Sequence, residues 1–234
     1  MFQIPFHENK LTAGYLNFQD TRLTQAIKKK PSIVSILPKR SSERATVVCF
    51  IQDIYRCNYG ADIEVHYPFL MSVSDPNGAI LAAIGFRYAE REALFLEQYT
   101  QERIEMILNS PRSRIVEIGN LASLGGGTSM FLFAALASYL NARGVDYGVV
   151  TGTKTLEKRL HSIGLQPERL CRADPCLLRG QSEDWGSYYE SEPFVMAGRI
   201  DLGYQNLQRV LGAHFVDGRP RLLPRLHFRL EPVT

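Results

Sequence analysis

The 234-residue sequence has only four cysteines, at 49, 57, 171 and 176, and no two form a Cys-x-x-Cys pair. Its five histidines, at 7, 66, 161, 214 and 227, show neither zinc-finger spacing to those cysteines nor metal-ligand spacing among themselves. A structural metal is therefore not expected, and scattered cysteines in a domain of this size read as buried thiols. Charge of one sign is equally scarce. A formal charge of +3, with no Lys/Arg stripe interleaved with aromatics, gives no basis for nucleic-acid binding. The one dense run, Lys28-Lys29-Lys30, reads as a solvated turn. Long apolar runs are missing too. The longest, Met130–Leu140, is far short of the ~20 residues a membrane-spanning helix needs. The first thirty residues are polar and mixed, without the apolar core of a signal peptide, so the expectation is a cytoplasmic protein with no transmembrane segment. There is no Gly-x-Ser-x-Gly, no Walker loop, no Gly-x-Gly-x-x-Gly and no His-Glu-x-x-His, which lowers serine hydrolases, P-loop enzymes and zinc hydrolases together.

What is present is an ordinary globular composition, 45% hydrophobic and 22% charged, in a chain long enough to bury a core. Residues 1–42 are irregular in pattern, apart from a possible strand at Ser32–Leu37. From Ser42 the apolar residues Val47, Val48, Ile51, Ile54 and Tyr55 recur at helical spacing, closed by Asn58-Tyr59-Gly60. A hairpin follows, Phe69–Val73 and Ala79–Phe86 around Ser74-Asp75-Pro76-Asn77-Gly78; its second arm is almost wholly apolar and reads as a central strand. Leu94–Tyr99 reads as a short strand, Gln101–Leu108 as a helix broken by Pro111, and Ile115–Leu121 as a strand. Ser129–Asn141 reads as a helix apolar on most faces, Tyr147–Thr151 as a strand, and Thr155–Ile163 as a short amphipathic helix. Beyond residue 170 the pattern weakens. Trp185-Gly186-Ser187-Tyr188-Tyr189 reads as an aromatic turn and Phe194–Ala197 as an edge strand. The tail from Gly218 to Pro232 alternates Arg with Leu, Pro and Phe. It has three readings: an edge strand, a partner-binding arm or a membrane-surface segment. The order predicts an α/β fold, a mixed β-sheet flanked by helices.

The most informative stretch is 113–129. A short apolar strand carries Glu117 in its middle and runs through Gly125-Gly126-Gly127 into a helix. Strand, glycine loop and helix start together present backbone N–H groups to a phosphate or a thioester carbonyl. A carboxylate in the centre of a buried strand needs a reason, either a salt bridge or chemistry. Gly125, Gly126, Gly127, Thr128 and Ser129 are thus candidates for holding a donor's phosphate or an oxyanion, with Asn120 orienting the loop or the donor arm. Glu117 is a candidate base if burial raises its pKa. Glu97 is a candidate for the same cleft, and Arg87 and Arg114 are candidates for an acidic group of a substrate or carrier, or as partners of Glu97 and Glu117.

This order resembles the Gcn5-related N-acetyltransferase (GNAT-like) fold, and Ile163-Gly164-Leu165 is similar to its Leu-Gly-Phe-like turn. Gln101–Leu108 followed by Arg114 and Glu117 looks like a distant version of the acyl-homoserine lactone synthase pattern. A closer resemblance is to the bacterial thermostable haemolysin family. It rests on Tyr59-Gly60-Ala61, Gly85-Phe86-Arg87-Tyr88-Ala89, Leu94–Tyr99, Arg114–Ala122, Ala173-Asp174-Pro175 and Trp185–Tyr189, and covers roughly 45–200. The resemblance implies an acyltransferase-like domain at 43–203, between an N-terminal segment (1–42) and a basic, apolar tail (204–234). It implies acyl transfer to a small amine or hydroxyl acceptor. The donor would be acyl-CoA or the phosphopantetheine of an acyl carrier protein, with no metal and no covalent intermediate. Tyr188 and Tyr189 become candidates for the acid that protonates the leaving thiolate. Acetyltransferases place Arg or Gln three residues before the first loop glycine, where this chain has Ala122, and the single phosphate of an acyl carrier protein suits that loop better than a pyrophosphate. The family name also implies a rival reading, a membrane-active haemolysin using the basic tail, and the missing Arg or Gln implies another, a binding module without catalysis.

Overall fold

In the computed structural model, residues 1–8, 10–27, 29–178 and 184–218 are described. Their elements are β1 (Phe2–Glu8), β2 (Leu11–Phe18), α1 (Arg22–Ala26), β3 (Ile33–Pro38), α2 (Arg44–Tyr59), β4 (Phe69–Ser74), β5 (Ile80–Tyr88) and α3 (Ile104–Ile107). Then come β6 (Ile115–Ser123), α4 (Thr128–Asn141), β7 (Tyr147–Gly152), α5 (Lys154–Ser162), β8 (Glu168–Arg172), β9 (Phe194–Arg199), α6 (Ile200–Leu211) and β10 (His214–Asp217). All ten strands form one mixed sheet, ordered β10-β2-β1-β3-β4-β5-β6-β7-β9-β8. The predicted α/β class is the observed one.

The two faces are covered by different helices, for reasons visible in their residues. On α2 only Val47, Ile51 and Tyr55, one stripe at i, i+4 spacing, are buried, and they pack with Leu37, Leu70, Ala83 and Ala122. The helix stops at Gly60, whose left-handed φ of 66° lets its N–H reach the Arg56 carbonyl. On the opposite face, α4 is buried from Thr128 to Leu140 except at half-buried Met130, since it lies against the sheet and against α6 at once. Among the described residues no helix is long and apolar enough to cross a membrane.

Several sequence expectations need correction. Residues 1–42 are not irregular: β1 and β2 form an antiparallel hairpin, β1 pairs in parallel with β3, and β10 adds to β2. One sheet thus draws strands from all three sequence segments. Leu94–Tyr99 is a 3-10 turn over Phe95–Gln98 rather than a strand, and the helix expected at Gln101–Leu108 shrinks to α3. Phe194–Ala197 lies in β9, an interior strand between β7 and β8, because the weakly patterned Glu168–Arg172 takes the edge. Helix α6 had no distinct signal. The cysteines are not buried: Cys49, Cys57 and Cys176 are exposed, Cys171 is half-buried, and all are free. The tail from 219 onward lies outside the described residues.

Candidate active site

Strands β6 and β7 create the site by parting. Their parallel pairing runs only from Ile115–Ile118 against Tyr147–Val150, although β6 continues to Ser123 and β7 to Gly152. On its other side β6 pairs with β5, with Ala83 opposite Ala122 and Gly85 opposite Gly119, so Asn120 and Leu121 both face Ile84. This is a β-bulge, and Asn120 takes a positive φ of 49° within it. The bulge bends β6 away from β7 and leaves backbone between them unpaired.

Two cavities meet at that gap. The larger, about 790 Å³, lies among β6, β7, α4, α5 and α6, with Phe133, Leu136, Ala137, Leu156, Leu160 and Ile200 giving it an apolar floor. The smaller, about 50 Å³, is an aromatic chamber lined by Tyr55, Tyr67, Phe95, Tyr99, Trp185, Tyr188 and Tyr189 with Arg87. Tyr55, Ile118, Gly119, Asn120, Thr151 and Tyr188 line both. Asn120 and Tyr55 line both cavities, so the bulge meets α2 at the gap. Tyr189, a predicted acid, shares a hydrogen bond with the Tyr99 hydroxyl at the chamber wall. Burial, then that bond, pushes the Tyr99 phenol far above its ordinary range.

The predicted carboxylates lie elsewhere. Glu117 is 1% exposed and lines neither cavity. Its Oε1 accepts from the Leu96 N–H at 2.8 Å and its Oε2 from the Phe95 N–H at 3.0 Å. Arg87 Nε stands 3.1 Å from Oε2. Burial pushes the carboxyl up to about 7, against the opposing pull of Arg87 and the two N–H groups. Glu97 is a second such clamp. It accepts from the Leu94 and Ile104 N–H groups and from Arg112 Nη1 at 2.6 Å. Burial would raise its pKa, but the Arg112 hydrogen bonds and these N–H donors together hold it below the usual carboxylate value. Between them the two glutamates collect the backbone donors of the turn that carries Phe95 and leads to Tyr99 in the chamber wall. That is why this segment is a turn.

Of the predicted arginines, Arg87 lines the chamber and stacks over the Tyr67 ring at 4.5 Å. Arg114 does not reach it, since its side chain is exposed and pairs with Asp146 at 3.1 Å.

The glycine loop lies beyond the large cavity, which Ser123 borders and residues 125–129 do not line. Gly125, Gly126 and Gly127 have φ of 81°, 64° and 86°, and no atom lies within 4 Å of a Cβ built at Gly125 or Gly126. The Gly126 and Gly127 N–H groups have no hydrogen-bond partner among the described residues. They stand at the positive end of α4. Thr128 holds the loop. Its buried hydroxyl bonds the carbonyls of Gly125 (3.0 Å) and Leu81 (3.3 Å), fastening the loop to β5. Ser129 is 8% exposed, and its side chain sits in the packed start of α4.

Glu64, His66, Tyr67 and Thr151 are among the chamber residues that sequence reasoning missed; none belongs to a recognisable motif. Trp185, by contrast, marked its turn. No group of three or more potential metal ligands occurs among the described residues.

The AHL synthase LasI is structurally similar, with 14% identity over 80% of this chain and 98% of its own, at a TM-score of 0.53. TofI in an apo form is similar at 14% identity, with 75% and 95% coverage and a TM-score of 0.53. FeeM, an N-acyl amino acid synthase from uncultured soil microbes, has 12% identity, 77% and 96% coverage and a TM-score of 0.52. At such identities the likeness establishes a shared fold. No curated protein matches the chain in sequence. The model of the thermostable hemolysin family matches residues 37–204, from β3 through the first turn of α6, and the chain belongs to that family.

Proposed function

We propose that this protein transfers an acyl group from a thioester donor, acyl-CoA or an acyl carrier protein's phosphopantetheine, to a small amine or hydroxyl acceptor. The observation that carries the reading is the gap between β6 and β7, which joins a large apolar cavity to a small aromatic chamber. An extended thioester arm fits a cleft whose strands offer unpaired backbone, with its acyl chain against Phe133, Leu136 and Ala137. The open loop N–H groups at the start of α4 suit the donor's phosphate. The acceptor then enters from the chamber and attacks in a ternary complex. The acyl-transferring enzymes among the structural neighbours support the same reading as analogies of fold.

In this reading Glu117 is a positioning residue. Its two oxygens accept from the Phe95 and Leu96 N–H groups and it lines neither cavity, so it acts by fixing Arg87 and the turn beneath the chamber. Tyr189 and Arg87 are the predicted residues in reach of an acceptor. The test is release of free thiol from acyl-CoA and acyl-carrier-protein donors of stepped chain length, with hydroxylamine as a generic nucleophile. Saturable thiol release with at least one donor is expected; no release from any donor would overturn the reading.

A further inference from the structure

Tyr67 crosses the backbone of two strands at the place where the cavities meet. A Cβ on Gly85 would lie 2.6 Å from the Tyr67 Cγ, and a Cβ on Gly119 would lie 2.1 Å from its hydroxyl oxygen. The ring therefore fills space that only glycine leaves at either position. Its hydroxyl rests on the last residue of β6 before the bulge. The guanidinium of Arg87 covers the ring at 4.5 Å, and the Tyr67 carbonyl accepts a hydrogen bond from Arg44 Nη2. The residue is thus held from three sides and is 8% exposed. Its hydroxyl makes no hydrogen bond to another described residue and is not sealed from solvent: it stands open to the chamber whose wall it forms. A phenol held this firmly, with its O–H left open to a cavity, can donate to whatever enters it.

We propose that the Tyr67 hydroxyl donates a hydrogen bond to the thioester carbonyl oxygen as that oxygen gains charge. The inference rests on the acyl-transfer reading and assigns one catalytic residue within it. In the step concerned, the nucleophile's lone pair forms a bond to the carbonyl carbon and the C=O π pair moves onto oxygen, where the Tyr67 O–H meets it. When that pair returns, the C–S bond breaks, the thiolate leaves, and the nucleophile's proton passes to water. Tyr67 keeps its own proton throughout. Burial, then the nearby Glu117, pushes the phenol well above its ordinary value, so it remains a donor. A thiolate, whose acid titrates near ~8.5, is too weak a base to take that proton.

The experiment is turnover of decanoyl-CoA with hydroxylamine by wild type and Tyr67→Phe, read as thiol release, with Tm measured alongside. The variant keeps the ring on Gly85 and Gly119 and loses only the hydroxyl. Expected is a fall in kcat on the order of 10²-fold, with the KM for decanoyl-CoA and the Tm nearly unchanged. Gly119→Ala, whose Cβ displaces the hydroxyl, should give the same kcat loss with Tyr67 intact. A Tyr67→Phe kcat within about threefold of wild type would overturn the assignment. So would a fall in rate accompanied by loss of donor binding or of Tm, which would make Tyr67 a structural residue. Failure of the wild type to release thiol from any donor would overturn acyl transfer itself and this assignment with it.

Discussion

Arg87 Nε stands 3.1 Å from Glu117 Oε2, with the two side chains 12% and 2% exposed. They face each other across neighbouring strands, since Arg87 on β5 is paired in register with Glu117 on β6. The carboxylate holds the turn below and the guanidinium holds Tyr67 above, so one ion pair links the framework to the chamber.

Removing Arg87 removes the pull that opposes burial, so Glu117 takes up a proton and stays buried as the neutral acid. Arg87→Met is therefore expected to destabilise the fold by about 1–3 kcal/mol at pH 7. Urea denaturation at pH 7 measures this, and a loss below about 1 kcal/mol would show that water reaches the pair.

The same pair makes stability depend on pH. The Glu117 carboxyl titrates near ~4.3 in the unfolded chain and is raised to about 7 in the folded one, chiefly by burial. The folded state thus holds the proton more tightly. The stability this contributes is complete below ~4.3 and is lost as pH rises towards 7, at up to ~1.4 kcal/mol per pH unit. Glu117→Gln does not titrate, so the stability difference between wild type and variant should shrink from pH 5 to pH 7 and level off above. The variant should also lose about 1–3 kcal/mol, because an amide NH2 faces one of the two backbone N–H donors. A difference independent of pH would contradict the raised carboxyl.

The apolar floor sets the acyl chain. Ala137 on α4 lines the large cavity, and Ala137→Phe projects a ring into it. Excluding about three methylenes costs ~2.4 kcal/mol, roughly 60-fold in affinity for decanoyl-CoA. Butyryl-CoA should bind as before. Equal losses for both donors, by calorimetric titration, would move the acyl chain out of this cavity.

Much of this arrangement was legible in the sequence because it is local. The stripe on α2, the Asp75–Gly78 turn and the run from Ile115 through the glycines to α4 each carry their structure in neighbouring residues. The hairpin at residues 1–18 was not legible, since its strands gain their burial from β3, β10 and α4, far along the chain. The turn at Phe95 reads as a strand by its apolar residues. What overrides that pattern is the capture of its N–H groups by Glu97 and Glu117, one of them 21 residues away from the N–H it binds. Glu117 was singled out correctly as needing a reason, but burial and spacing alone do not distinguish a base from a clamp. Tyr67 was invisible for a related reason: what marks it is the absence of side chains at Gly85 and Gly119, and only the paired strands bring those two glycines together.

The central claim is that a thioester donor lies along β6 with its phosphate at the glycine loop, and the most direct measurement is the thermal shift produced by decanoyl-CoA in wild type and Gly126→Asp. Aspartate tolerates the left-handed backbone at residue 126 and meets no atom there, so the variant should fold while placing a negative charge at the phosphate position. A donor that binds only the folded state raises Tm, by several degrees at saturating concentration. The account predicts that rise in wild type and its loss in Gly126→Asp. No stabilisation of the wild type, or an equal shift in both proteins, would contradict it.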